Sequence, residues 1–349
     1  MKPISFMHTA DLHLGTAFPG LAPRVGNLRR RELMQAVAAM ADICSERNLD
    51  LLMIAGNFWE QDNITRPLVD FIADQFRRIP YTRVLIAPGE RDYYHDRSLY
   101  NYPWPPNVHV FRNHQPTSLY LADYNLTIHG LAWQSPTLPK VGWNNLQVRG
   151  INIILAHGDP EILNLASAPK EIAYIALGGS HVQKSPAAKI FMPGSPEPLT
   201  FASGQPHGVL VGYVDAQDAA VDFVPLAKRQ YHSITVSLSP EQSPQASAHA
   251  ILGALAPLSP EKNIFRLRLT GTRAWPTAAL AEELSGIYQY YLEDESQLFL
   301  DFGGLKREGG EVVARFIAAL SDQPSPSTRQ ALEYGLDALL GRRVELWLE

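Results

Sequence analysis

A single cysteine, Cys44, stands among 349 residues, so no disulfide framework can form. It lies in a stretch of helical periodicity, where it reads as a small buried apolar residue, and one lone thiol fits a reducing, cytoplasmic compartment. Long apolar runs are missing as well. No stretch approaches the ~18 residues of a membrane span, and the opening MKPISFMHTADLHLG lacks the apolar core of a signal peptide. Positive charge is in short supply: the formal net charge is −5, which argues against an obligate nucleic-acid coat but leaves room for a local basic strip. No Walker A pattern occurs, so any ATPase activity would have to come from another chain. There is no internal repeat, and most of the prolines fall in loops and at element ends.

What is present is an alternation of short apolar runs with helical patterns. Strands are predicted over 4–10, 49–56, 82–89, 108–111, 125–133, 151–158, 172–179, 189–195 and 208–215, with helices over 27–48 and 66–78. Several runs are continuously apolar, as strands buried on both faces should be. Strand–helix–strand order predicts an α/β sheet with flanking helices. After about residue 228 the character changes. Strands are predicted at 231–238, 263–271 and 296–304, helices near 246–256, 276–290, 309–321 and 327–340, and the linkers SPEQSPQASA and SDQPSPSTRQ are rich in Pro and Ser. This predicts two domains, 1–228 and a smaller α+β capping domain over 229–349.

The predicted strands of the first domain end in glycine-bearing loops with metal-competent side chains: HTADLHLG, AGNFWEQD, APGERDYYHD, AHGDPE and LGGSHVQK. Ligands of open α/β sheets gather at the carboxyl ends of strands, so five such loops from one sheet can converge on one site. Asp11 and His13 are two apart after the first strand, a spacing that in extended backbone points both side chains the same way. His157 and His181 close two later strands. Each alone reads more readily as a structural hydrogen-bonder; three histidines and an aspartate in one strand-end pattern favour a site for manganese, iron or zinc.

With these loops in order, the chain resembles the calcineurin-like metallophosphoesterases. Within them it is similar to the double-strand-break-repair nuclease branch, SbcD-like and especially YhaO-type bacterial members. HTADLHLGTAFPGL, LDLLMIAGNFWE, EIAYIALGGSH and FMPGSPEPLTF carry the resemblance, which covers residues 1–228 well and the C-terminal tail more loosely. It implies the calcineurin-like fold and the ligand pattern D-x-H, G-D-x-x-D, G-N-H-D/E, a lone H and G-H-x-H. Against that pattern Asp11, His13, His157 and His181 are kept. Asn57 stands where a bridging aspartate would be, Glu60 replaces the later aspartate, Glu90 and Arg91 replace the asparagine and the catalytic histidine, and Gly179 replaces a histidine. The resemblance divides the ligands between two ions. Site one, with Asp11, His13, Asn57 and His181, is nearly complete. Site two keeps His157, with Glu90 as a replacement ligand.

Physical chemistry sharpens the consequence. Two cations about 3.5–4 Å apart tolerate one another because an anion bridges them, and a neutral asparagine with one oxygen cannot play that part. A permanently charged guanidinium at position 91 cannot serve as a general acid. Arg91 is therefore expected either to turn outward or, preferably, to fill the vacated second position as an organic cation paired with Glu90, Glu60 or Asp92. The implied function is a divergent subunit of a DNA-processing complex. It would hold one divalent metal, manganese foremost, and no second; its two-metal nuclease activity would be lost or strongly reduced. The alternative is an active one-metal phosphodiesterase, with Arg91 clamping phosphate and His157 as the acid. The expected partners are DNA, an SMC-like ATPase of the SbcC type and a second copy of the chain; no membrane is expected. Arg29, Arg30, Arg31, Arg77 and Arg78 read first as solvated helix faces or the flanks of a dimer contact, and less readily as a phosphate strip. The aromatics of residues 91–106 read as domain packing. Ala331, Leu332, Leu336, Leu339 and Leu340 form a helical stripe that fits either intradomain packing or a partner groove.

Overall fold

The computed structural model describes residues 3–19, 21, 23–144, 146–201, 204–260, 262–284, 289–299, 302–321 and 326–339. They divide into two compact units, 1–232 with 262–264, and 233–261 with 265–349.

In the first unit the elements run β1 (Ile4–Thr9), α1 (Pro23–Glu46), β2 (Leu51–Ile54), α2 (Arg66–Arg77), β3 (Arg83–Ile86), β4 (Val108–Val110), β5 (Thr117–Leu121), β6 (Leu126–Gly130), β7 (Ile151–His157), β8 (Ile172–Gly178), β9 (Lys184–Ala187), β10 (Ile190–Met192), β11 (Gly208–Val214) and β12 (Ala219–Pro225). They build two six-stranded sheets rather than the expected one. The first has the order β12-β11-β1-β2-β3-β4 and the second β5-β6-β7-β8-β10-β9.

Side-chain alternation explains the two-sheet packing. In β1, β2 and β3, Phe6, Leu51, Met53 and Leu85 face one way and join Leu126, Ile128, Ile151, Ile153 and Leu155 of the second sheet in a shared core. The intervening Met7, Leu52, Ile54, Val84 and Ile86 face the other way and pack under α1 and α2 with Leu33, Val37, Met40, Ile72 and Phe76. The outer face of the second sheet is covered by Leu131, Val141, Trp143, Leu163 and Leu165, which lie on connecting segments and cover Ile154 and Leu177. A strand buried on both faces has no polar phase, which is why these runs read as continuously apolar. The loop aromatics pack as expected: Tyr100 is fully buried and stacks on Trp59 at 4.1 Å, with Trp104 behind it.

The second unit carries a four-stranded sheet of β13 (Tyr231–Leu238), β14 (Ile264–Arg273), β15 (Gln289–Asp294) and β16 (Gln297–Leu298). Helices α3 (Pro244–Leu255) and α4 (Thr277–Leu284) bury Ile251, Leu255, Leu280 and Leu284 against Phe265, Leu267 and Leu269. The helix predicted over 276–290 is seen from Thr277 to Leu284, residues 285–288 lie outside the described residues, and 289–290 belong to β15; of the strand predicted over 296–304 only Gln297–Leu298 is strand, residues 300–301 lie outside the described residues, and α5 (Phe302–Ser321) follows. Gly310, at φ 65°, interrupts α5. With α6 (Pro326–Leu339), α5 forms a separate small cluster of Val313, Ile317, Leu332 and Leu336. Leu332 and Leu336 of the helical stripe therefore pack within the chain, Ala331 and Leu339 are exposed, and Leu340 lies outside the described residues. Among the described residues no helix is long and apolar enough to cross a membrane.

Candidate metal centre

Loops from both sheets meet at one place. Beyond β1 and β2 the chain continues in register: Asp11 N–H donates to Gly56 O at 3.0 Å, His13 N–H to Asn57 O at 2.9 Å and Leu14 N–H to Phe58 O at 3.0 Å. The backbone there is not extended, as the spacing of Asp11 and His13 suggests. Asp11, His13 and Asn57 all take left-handed conformations, at φ 52°, 47° and 49°. Such conformations are uncommon for side-chain-bearing residues and concentrate where function over-determines the backbone. Gly56, at φ 76°, closes the turn, and a Cβ on it would sit 2.5 Å from the Cβ of His157, so only glycine lets the two sheets' loops approach.

Asp11, His13 and His181 offer one ligand atom each, all within 4.8 Å of one another; Asp11 and His13 are buried and His181 is not. Each is oriented by a neighbour. Asp11 Oδ1 accepts the Asn57 side-chain amide at 3.1 Å, and Oδ2 accepts Gly179 N–H at 2.8 Å. His13 Nδ1 faces Glu60 Oε1 at 2.6 Å, which places the proton on Nδ1 and turns Nε2 toward the centre. His13 Nε2 lies 3.3 Å from His181 Nε2 and 3.8 Å from Asp11 Oδ1.

The electrostatics match. Burial pushes the His13 pKa down, but its hydrogen bonds and charge interactions with Asp11 and Glu60 more than offset this and raise it to about 9. Burial likewise works against the Asp11 carboxylate, yet the His13 hydrogen bond, the nearby imidazoles and Gly179 N–H hold its pKa below the usual value. The hydrogen bond to His13 lowers Glu60 too. Two carboxylates thus enclose one positive charge, carried on His13 when no metal is bound. A carboxylate and two imidazoles, one of them braced by an outer carboxylate, form a donor set that fits one divalent cation.

The second position does not fit. Asn57 Oδ1 accepts Arg91 N–H at 3.0 Å while its amide nitrogen serves Asp11, so Asn57 braces a ligand rather than adding one. Glu90 is exposed and stands outside the cluster. Gly179 contributes only its backbone N–H. His157 is buried beside the cluster without joining it. Its Nδ1 donates to Ala55 O at 2.9 Å, leaving the Nε2 lone pair free, and its own carbonyl accepts from Trp133 Nε1.

The preferred expectation for Arg91 is overturned. Its side chain is exposed and makes no ion pair among the described residues, although its charge helps to lower the Glu60 pKa. The reason lies next door. Asp92 is fully buried and its two oxygens accept from Gly89 N, Asn57 N, Phe58 N and Tyr100 Oη at 2.6–3.2 Å, which leaves no acceptor for a guanidinium. Sequence reasoning missed this bracing role. Its only trace is an acidic residue three places after a strand-end glycine, Gly89. Arg29 is likewise no surface cation: it is fully buried and bonded to Glu32 and Glu197.

No protein-family profile matches the chain. Over 121 residues it is 27% identical to a Bacillus subtilis (strain 168) protein described as "uncharacterized metallophosphoesterase YhaO". The chain is similar to a metallophosphoesterase. The matched segment is 33% of this chain and 29% of the relative, so the chain spans less than a third of that protein's length. A metallophosphoesterase binds divalent metal, in keeping with the Asp11–His13–His181 cluster. A glutamine-dependent NAD+ synthetase from Acinetobacter baumannii aligns over 98% of this chain and 74% of its own, at 10% identity and a TM-score of 0.30, too low to indicate a common fold.

Proposed function

We propose that this chain is a divergent SbcD/YhaO-type metallophosphoesterase with a one-cation centre, in which two-metal nuclease chemistry is lost or strongly reduced. The carrying observation is the asymmetry of the site: three donor atoms lie within 4.8 Å of one another at Asp11, His13 and His181, while of the residues expected at the second position only His157 is placed to offer a donor atom, Glu90 being exposed and the Asn57 oxygen taken by Arg91 N–H. Asp11, His13 and His181 would hold the ion, with manganese the foremost choice. A divalent cation there would supply Lewis acidity toward a phosphoryl oxygen and make water a better nucleophile near neutral pH. Glu60 fixes the His13 tautomer, and Asn57 and Gly179 fix Asp11. The proposal extends to a role in DNA processing, with the chain dimerising and serving as partner of an SbcC-type ATPase in the cytoplasm. The motif resemblance supports this. The basic residues contribute little, because Arg77 and Arg78 pair with Asp74 and Asp42 and Arg29 is buried.

One observation favours a second reading, an active one-metal phosphodiesterase: the intact site is already oriented by Glu60, and the exposed Arg91 is free to meet a phosphate. His157, with its proton on Nδ1, presents an acceptor rather than a donor, so service as an acid requires it to take up a second proton. Elemental analysis after manganese loading tests the shared premise. About one ion per chain, lost in His181→Ala, is expected on the three-donor geometry; no bound metal ends the one-cation reading. Turnover of a model phosphodiester that disappears in His13→Ala selects the second reading, and its absence in the loaded protein selects the first.

A further inference from the structure

His181 sits on a loop with no regular structure of its own, yet its backbone is tightly held. Ser195 N–H donates to His181 O at 3.2 Å, and Ser195 Oγ approaches the same carbonyl at 3.4 Å. Gly194, at φ 79°, allows this: a Cβ there would lie 3.0 Å from His181 O and 2.8 Å from Gln183 N. Ser195 is fully buried, and His207 Nδ1 lies 3.0 Å from both its hydroxyl and its carbonyl oxygen.

Two residues on, Glu197 is 1% exposed. Its Oε2 accepts from Arg29 Nη2 at 2.8 Å and its Oε1 from Lys228 N–H at 3.1 Å, while Arg29 Nη2 also reaches Pro198 O at 3.1 Å. Arg29 bonds Glu32 as well, and Glu32 Oε1 accepts from Arg229 Nε at 2.7 Å. The guanidinium of Arg29 lies over the rings of Phe18, on the loop that follows His13, and Tyr231. Four buried or half-buried charges therefore converge where α1, the 195–198 segment and residues 228–231 meet. A buried ion pair is seldom a net source of stability, but it fixes geometry strongly because breaking it strands a charge.

We infer that the Arg29–Glu197 pair is a positioning element for His181, holding the 195–198 segment against the His181 backbone through Ser195 and tying it to residues 228–229. This rests on the one-cation reading of Asp11, His13 and His181. Loss of the Glu197 charge leaves Glu32 as the one carboxylate on Arg29, weakens the Lys228 tie and lets the His181 carbonyl drift from Ser195. A ligand held loosely binds metal less well, as outer contacts of metal ligands show when removed.

The test uses the full-length chain. Manganese(II) alone is titrated calorimetrically into wild type, Glu197→Gln, Glu197→Asp and Val37→Ala, the last a core truncation in α1 that makes none of these bonds. Histidine ring resonances are recorded for each variant without metal. Glu197→Gln is expected to weaken manganese binding about tenfold or more and to shift the His181 resonances. Glu197→Asp, which keeps the charge, is expected to recover part of the affinity. Val37→Ala should lower the melting temperature with affinity and resonances unchanged. Wild-type affinity in Glu197→Gln, or an equal loss in Val37→Ala, overturns the inference. If Glu197→Gln does not fold, Ser195→Ala, which spares the ion pair, must itself weaken binding several-fold. Should wild type bind no manganese, the one-cation reading fails by itself, and the His181 resonances alone decide the positioning role.

Discussion

Glu60 offers the sharpest test of the centre, because it touches no proposed metal atom and acts only through His13. Its Oε1 lies 2.6 Å from His13 Nδ1, close enough to fix the ring's tautomer and orientation and to raise the basicity of Nε2. Outer carboxylates of this kind contribute about 10–100-fold to metal affinity, or roughly 1.4–2.7 kcal/mol. Glu60→Gln keeps an acceptor oxygen but no charge, so the low end applies, about tenfold weaker manganese binding. Glu60→Ala removes both and should approach the high end. Folding stability of the metal-free variants should fall as well, by about 1–3 kcal/mol, because Glu60 is three-quarters buried against a His13 that is charged without metal and only 8% exposed. Manganese titration by calorimetry, with a thermal melt of each metal-free variant, separates the two effects. Affinity within about threefold of wild type in Glu60→Ala, with the fold intact, refutes the claim that this carboxylate orients a metal ligand.

Two further outcomes follow from buried groups. His8 is completely buried with Nδ1 3.0 Å from Tyr174 Oη, and burial drives its pKa from 6.5 down to about 3. Folded His8 stays neutral while the unfolded chain takes up the proton below 6.5, so its contribution is present above that pH and is lost as pH falls toward 3; between about pH 7.5 and pH 5 the loss is about 2 kcal/mol, read as the difference in urea-unfolding free energy between wild type and His8→Asn, and a pH-independent difference contradicts it. Asn57→Asp places a second carboxylate 3.1 Å from Asp11 Oδ1 where an amide now donates, so the metal-free protein should lose about 1–3 kcal/mol, and saturating manganese should raise its melting temperature by more than it raises that of wild type; an equal metal-induced shift in both proteins counts against the placement of residue 57 beside the ion.

Much of the first unit was legible because its inner strands are buried on both faces and read as unbroken apolar runs. The strands that escaped notice are those where that signal fails. β9, Lys-Ser-Pro-Ala, is exposed at all four positions and contains a proline, as an unpaired sheet edge tolerates. β12 is another edge strand with no fully buried residue. β15 overlaps the predicted helix only at its first two residues and otherwise fell in no predicted element; its partner strand, distant in sequence, decides the matter. Nor does a period of two say which strands share a sheet, so the division into two sheets was invisible. At the centre, Asn57, Glu90 and His157 do not join the cluster, while Asp11, His13 and His181, which the structure brings together, were readable from strand-end motifs. Their supports were not: Glu60 and Asp92 act through pairings at sequence separations of 47 and 34–35 residues, which no local pattern encodes. Arg91 was misplaced for a related reason: of its three expected partners, Asp92 is consumed by backbone donors, Glu60 is engaged by His13, and Glu90 is exposed.

The departures from a two-ion pattern are not independent losses. A second cation beside Asp11 would neutralise its carboxylate; here the Asn57 amide takes one oxygen and Gly179 N–H the other. Asn57 can present its amide that way because Arg91 N–H holds its oxygen from behind, and position 91 can supply that N–H because Asp92 pins the turn through Gly89 and Phe58. Asn57, Arg91 and Gly179 thus sit in linked hydrogen bonds beside Asp11, while Glu90 is exposed. Such a network is costly to break where its donor is buried, as at the Asn57 amide. An aspartate at 57 alone therefore adds charge without adding ligands at 90 and 179. The Asp11–His13–His181 cluster is an arrangement that the surrounding backbone supports, which is why these three donors and their braces are found together.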